Sequence, residues 1–173
     1  MYLKKLKSKR GHLCTLKIIQ AIPSISNPVT EAEVNNFLES KLNMQLATID
    51  EEGYPIIQPI WFLYDKELGK IYMSTQKTSK KARNLYRNPN KIYFSIDDEN
   101  FPYKGVKGRA IAKISEDIDW NIPIVEKINI KYLGTLNHPL ANIIMDNTRK
   151  AMQIVIEIIP KFFSAWDNGK AMM

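Results

Sequence analysis

The sequence is poor in the residues that build disulfide scaffolds and metal sites. One cysteine, Cys14, excludes an internal disulfide, and the two histidines, His12 and His138, form no recognisable zinc spacing, so no metal site is expected. As a nucleophile Cys14 would need a base and an orienting partner; a tail thiol without a chemical role is the simpler reading. No run approaches the ~18 apolar residues that span a bilayer, because Lys, Asp, Glu or Pro interrupts every hydrophobic stretch. Lys17 breaks the apolar segment that follows the basic start, which argues against a secretory signal and for a cytoplasmic protein. Acidic residues are absent from the first 30 positions, where six basic ones lie (Lys4, Lys5, Lys7, Lys9, Arg10 and Lys17). The formal net charge of +7 therefore leaves only +1 on residues 31–173. The charge belongs to a basic extension and not to the body, so nucleic acid is not expected as the main partner.

What is present suits one domain. The chain has 173 residues, 45% of them hydrophobic and 25% charged, enough to bury a sizeable core. Residues 1–29 read as the extension, ending in a linker marked by Pro23, Ser24, Ser26, Asn27 and Pro28, and residues 30–173 as the folded domain. Thr30 with Glu33 makes a capping-box pattern, and Val34, Phe37, Leu38 and Leu42 follow at helical spacing, predicting a helix over 31–41. Strands are predicted at 44–49, 54–64, 70–75, 91–97, 103–114 and 152–159, with a hairpin turn at 50–53 where Gly53 supplies a positive φ.

The 54–64 strand carries Pro55 and Pro59, neither of which can donate to a ladder, so an edge or bulge is expected around Gln58. Gly105 and Gly108 inside a long strand suggest a bend or a close backbone approach. Ser115 is expected to cap a helical region that Pro123 interrupts early and that ends near Gly134, and a second short helix is expected over 139–150. The order favours a mainly β fold, a six-stranded, mostly antiparallel barrel with flanking helices, over an alternating βαβ sheet.

Residues 75–84 break a rule. A helix N-terminus favours acidic residues in its first turn, yet here Thr78 or Ser79 caps a helix that starts with Lys80, Lys81 and Arg83. Cap hydroxyl, backbone N–H groups and ammonium groups converging on one phosphate would explain the charge; a solvated basic helix face is the alternative.

The ordered set Ala47-Thr48-Ile49, Gly53-Tyr54-Pro55, Pro59-Ile60-Trp61-Phe62, Ile71-Tyr72, Thr75, Ser79-Lys80-Lys81-Ala82-Arg83-Asn84-Leu85, Asn88-Pro89 and Val106-Lys107-Gly108-Arg109-Ala110 resembles the pyridoxamine 5'-phosphate oxidase-like family of FMN-binding split-barrel flavoproteins. The resemblance covers about residues 31–166. It implies a split barrel that binds FMN at a homodimer interface, the phosphate held at Ser79, Lys80 and Lys81. It places Gln58 by the phosphate or ribityl chain, where Arg is often found. Pro59, Ile60 and Trp61 fall on the strand facing the isoalloxazine ring, and Ser74 and Thr75 near the ring and ribityl hydroxyls. Tyr103 and Trp166 fall where the second subunit closes over the flavin.

Trp61 and Phe62 face opposite sides of a strand, so one of them points inward, and Trp166 reads equally as a packing anchor. The Arg- and His-rich C-terminal segment of the founding enzyme has no counterpart in residues 161–173, which argues against pyridoxamine phosphate oxidation. No general acid or base stands out. The resemblance thus implies an FMN-dependent oxidoreductase acting on a small molecule; a deazaflavin-dependent reductase of the same fold, and a non-catalytic flavin- or RNA-binding module, are the alternatives.

Overall fold

The computed structural model describes residues 17–22 and 27–171; Cys14 and most of the basic extension lie outside them. Along the chain run β1 (Ile18–Gln20), α1 (Glu31–Leu38), β2 (Met44–Ile49), β3 (Pro55–Ile60), β4 (Leu63–Asp65), β5 (Lys70–Gln76) and α2 (Lys80–Arg87). There follow β6 (Ile92–Asp98), β7 (Lys104–Ser115), α3 (Ile118–Leu133), α4 (Pro139–Arg149), β8 (Gln153–Pro160), β9 (Phe163–Asp167) and α5 (Asn168–Ala171).

The sheet runs β3-β2-β6-β7-β8-β5-β4, with β9 alongside β7 and β1 alongside β9. Every ladder is antiparallel except the β1–β9 pair. The long strand β7 splits the barrel. One edge pairs with β6 throughout Lys104 to Ala110, while the other pairs first with β9 and then, from Ala110, with β8. Gly108 sits at this junction, where a Cβ would run into the Phe162 carbonyl and the Phe94 ring; a Cβ at Gly105 would enter the Trp166 ring. Both glycines therefore serve the close approach expected of them.

Alternation along the strands gives the barrel its interior. Leu46, Met73, Phe94, Ile156 and Phe163 are buried there, and Val34 and Leu38 of α1 close one opening. The capping box of α1 is formed as read, with Thr30 Oγ1 accepting from Glu33 N and Glu33 accepting from Thr30 N at 2.8 Å. Helices α3 and α4 cover the outer face of β5 and β8, where Tyr72, Val125, Met145 and Val155 pack and Trp120 meets Tyr72 edge-on at 5.9 Å.

The strand count departs from six. The stretch read as one strand over 54–64 bends at Trp61 and Phe62 into β3 and β4, β1 comes from the extension, and β9 follows Pro160. Asp117, not Ser115, caps α3, its carboxylate accepting from Trp120 N at 3.2 Å. Pro123 lies within that helix instead of interrupting it, and Gly134, at φ 78°, ends it.

Candidate functional site

Two open strand edges define the site. Among the described residues β3 ends the sheet on one side. β5 pairs with β8 from Ile71 to Gln76 but with β4 only from Lys70 to Tyr72, so among the described residues its last four positions have a free edge. Such edges carry unpaired backbone N–H and C=O groups. The two edges meet at a cavity of about 270 Å³, lined by Pro59, Ile60 and Trp61 from one side and Ser74 and Gln153 from the other, with Asn129 of α3 behind. Gln153 Nε2 donates to Ser74 Oγ at 3.3 Å.

Thr75 points the opposite way from Ser74, as neighbours on a strand must. Its hydroxyl lies 3.1 Å from that of Ser79 and accepts from Lys81 Nζ at 3.4 Å. Ser79 is the N-cap of α2, in extended conformation (φ −66°, ψ 155°), and accepts from Ala82 N. No acidic residue occupies the first turn of the helix. Lys81 is half-buried, and that burial holds its ammonium below the ordinary lysine value, with no carboxylate paired to it among the described residues. Two hydroxyls and a desolvated ammonium beside a helix start form a donor set for an anion such as a phosphate. The cradle is anchored from beneath: Asn84, buried at 2% exposure, donates to Thr48 Oγ1 at 3.0 Å, and Ala82 and Leu85 enter the core.

Lys80 turns elsewhere. Its amine lies 3.6 Å from Asp50 Oδ2, and that carboxylate is fixed by the backbone N–H groups of Glu52 and Tyr54. Arg83 donates to the Thr78 carbonyl. Of the three cations at the helix start, Lys81 alone joins the hydroxyl pair.

Gln58 lies opposite Leu46 on the inner side of β3, its Oε1 buried without a hydrogen-bond partner among the described residues. Ile60 is buried and Pro59 exposed. Phe62 is the inward member of its pair, fully buried, while Trp61 lies half-buried against Tyr132. Tyr103 is 51% exposed, edge-on to Phe101 at 5.8 Å, and Trp166 is half-buried over Gly105 with the Lys107 amine 5.6 Å from its ring. These two sit where β6 ends and β7 begins. Helix α2 leads into the other end of β6, and a strand of that length spans roughly 20 Å, so one chain does not bring Tyr103 and Trp166 to Ser79.

Asn129 was not foreseen. It is 1% exposed, lines the cavity, and among the described residues neither its Nδ2 nor its Oδ1 has a partner. An unpaired buried polar group costs about 1–3 kcal/mol. The available signal was an asparagine placed on the buried stripe of α3 with Asn121, Val125 and Ile128.

The split barrel is the architecture of a known class. The model of the pyridoxamine 5'-phosphate oxidase family matches residues 30–159, and the chain belongs to this pyridoxamine 5'-phosphate oxidase-like split-barrel family, whose members include flavin-binding proteins. Among solved structures it is similar to a conserved hypothetical protein of Mycobacterium tuberculosis, with 24% identity and a TM-score of 0.73 over 90% of this chain and 93% of that one. It is similar to an F420 reductase, with 28% identity and a TM-score of 0.60 over 75% of this chain and 94% of that one. It shares its fold with the heme storage protein HutZ of Vibrio cholerae, at 17% identity and a TM-score of 0.59 over 79% and 93% of the two chains. No curated protein matches it.

Proposed function

We propose that the protein is an FMN-dependent oxidoreductase working as a homodimer on a small-molecule substrate. The observation that carries this reading is the placement of Thr75, Ser79 and Lys81 at the end of β5 whose free edge faces β3. FMN would supply the hydride chemistry. The hydroxyls of Thr75 and Ser79 and the Lys81 ammonium would hold its phosphate, and the backbone edges of β3 and β5 its ring. Gln58, with its unpaired Oε1, offers an acceptor to a ribityl hydroxyl. Trp61, stacked on Tyr132, would form a wall of the ring site.

The outer face of β3 and its neighbours favours a second copy. Tyr54 and Ile57 are each 65% exposed and Tyr93 41%, with Pro55 and Pro59 beside them, a patch suited to a like surface. Tyr103 and Trp166 would then act on the site of the other copy.

The 28% identity to an F420 reductase favours a second reading, in which a deazaflavin takes the place of FMN. Titrating the purified protein with each cofactor and following the bound chromophore's absorbance and fluorescence tests both. FMN binding supports the first reading, binding of the deazaflavin alone supports the second, and binding of neither by folded protein overturns both.

A further inference from the structure

Resting on that flavin reading, we propose that Asn129 is a ring-binding residue that pairs with the imide edge of the cofactor. Of the two asparagines on the buried stripe of α3, Asn121 is satisfied in part by the chain itself, its Nδ2 donating to the Ser115 carbonyl at 3.0 Å. Asn129 is not: both polar atoms of its amide are buried without a partner among the described residues, and the residue lines the cavity between β3 and β5. The neighbouring polar pair, Gln153 and Ser74, is occupied with itself at 3.3 Å.

The chemistry of the lining selects the occupant. Among the described residues no charged side chain lines this cavity, so a carboxylate or phosphate has no counter-charge there. The apolar sides come from Ile60, Ile128 and Ile144. A primary amide offers a donor and an acceptor in one plane, and one planar group satisfies both when it carries an acceptor beside a donor. The pyrimidine-dione edge of a flavin does so, with an N–H flanked by two carbonyls. A deazaflavin has the same edge, so Asn129 recognises the class of ring and leaves the choice between the two cofactors to other residues.

The test compares Asn129→Leu, Asn129→Asp and Lys81→Ala with the wild-type protein. Binding of FMN and of riboflavin, which has the ring without the phosphate, is measured by fluorescence, and the ligand-free proteins are melted. Asn129→Leu, of similar shape and without polar atoms, is expected to weaken both ligands about tenfold. Its ligand-free melting temperature should equal or exceed that of the wild type, because two unpaired buried groups are gone. Asn129→Asp should weaken both ligands through loss of the donor, and Lys81→Ala should weaken FMN alone. In ¹⁵N-labelled FMN the N3 resonance should move on binding to the wild type and return towards its free value in Asn129→Leu.

Unchanged FMN affinity in both Asn129 variants, or an N3 resonance in the wild-type complex like that of free FMN, overturns the assignment. If Lys81→Ala alone weakens FMN, the flavin reading stands and only Asn129 is misassigned. If the wild type binds neither FMN nor a deazaflavin, both fall.

Discussion

Trp61 lies flat on Tyr132, the ring centroids 4.9 Å apart and the planes 3° from parallel. Below the stack the Tyr132 hydroxyl joins three parts of the chain, accepting from Phe62 N at 3.2 Å and donating to the Leu42 carbonyl at 2.9 Å. The tie fixes the bend between β3 and β4 against α3. Tyr132→Phe keeps the stack and leaves both backbone groups unpaired. The variant should lose about 1–3 kcal/mol in urea denaturation; wild-type stability would mean that water replaces the hydroxyl.

The two lysines at the start of α2 should differ in effect. Lys81 joins Thr75 and Ser79, whereas Lys80 pairs with Asp50. Lys81→Ala is expected to weaken FMN about tenfold to a hundredfold, the range for losing a charge-assisted hydrogen bond, with the fold intact. Lys80→Ala should change affinity much less. Equal losses in equilibrium dialysis would place both ammonium groups on the phosphate.

Lys131 predicts a pH dependence. Its amine sits 3.7 Å from the centre of the Phe62 ring and 3.4 Å from the Leu38 carbonyl oxygen. Burial pushes its pKa down to about 8 from 10.5, outweighing the pull of the Glu39 carboxylate. Between those values the unfolded chain binds more protons than the folded one, so this group makes stability rise with pH across the window. Below it both states are protonated and the contribution is flat. Lys131→Met should reduce the slope, read from urea midpoints at a series of alkaline pH values; an undiminished slope would assign it to other groups.

If the outer sheet face is the contact between two copies, a charge at its centre should separate them. Ile57, 65% exposed, is the position to change. Ile57→Lys is expected to sediment as a monomer while the wild type sediments as a dimer, with unchanged far-ultraviolet circular dichroism. A dimeric variant would move the interface to another face.

Much of the barrel could be read in advance because its signals are local. The capping box at Thr30, the Asp50 to Gly53 turn with Gly53 at φ 91°, and the alternation of Ile92, Phe94 and Ile96 need nothing from the rest of the chain. The strands that went unread are short: Ile18–Gln20 has three residues, and Phe163–Asp167 has five and begins three positions after a proline. The site divides in the same way. The cap at Ser79 is a local feature, whereas the Lys80–Asp50 pair joins residues 30 positions apart, and Asn129 is notable only because nothing among the described residues answers its amide.

Ser74 and Thr75 are neighbours on opposite faces of β5, so one strand turns one hydroxyl to the cavity and the next to Ser79 and Lys81. One extra residue ahead of them in the strand would exchange the two faces, turning one hydroxyl away from the cavity and the other away from Ser79 and Lys81. Evolution can therefore alter either face by substitution, but it cannot lengthen or shorten β5 by a single residue without disturbing both.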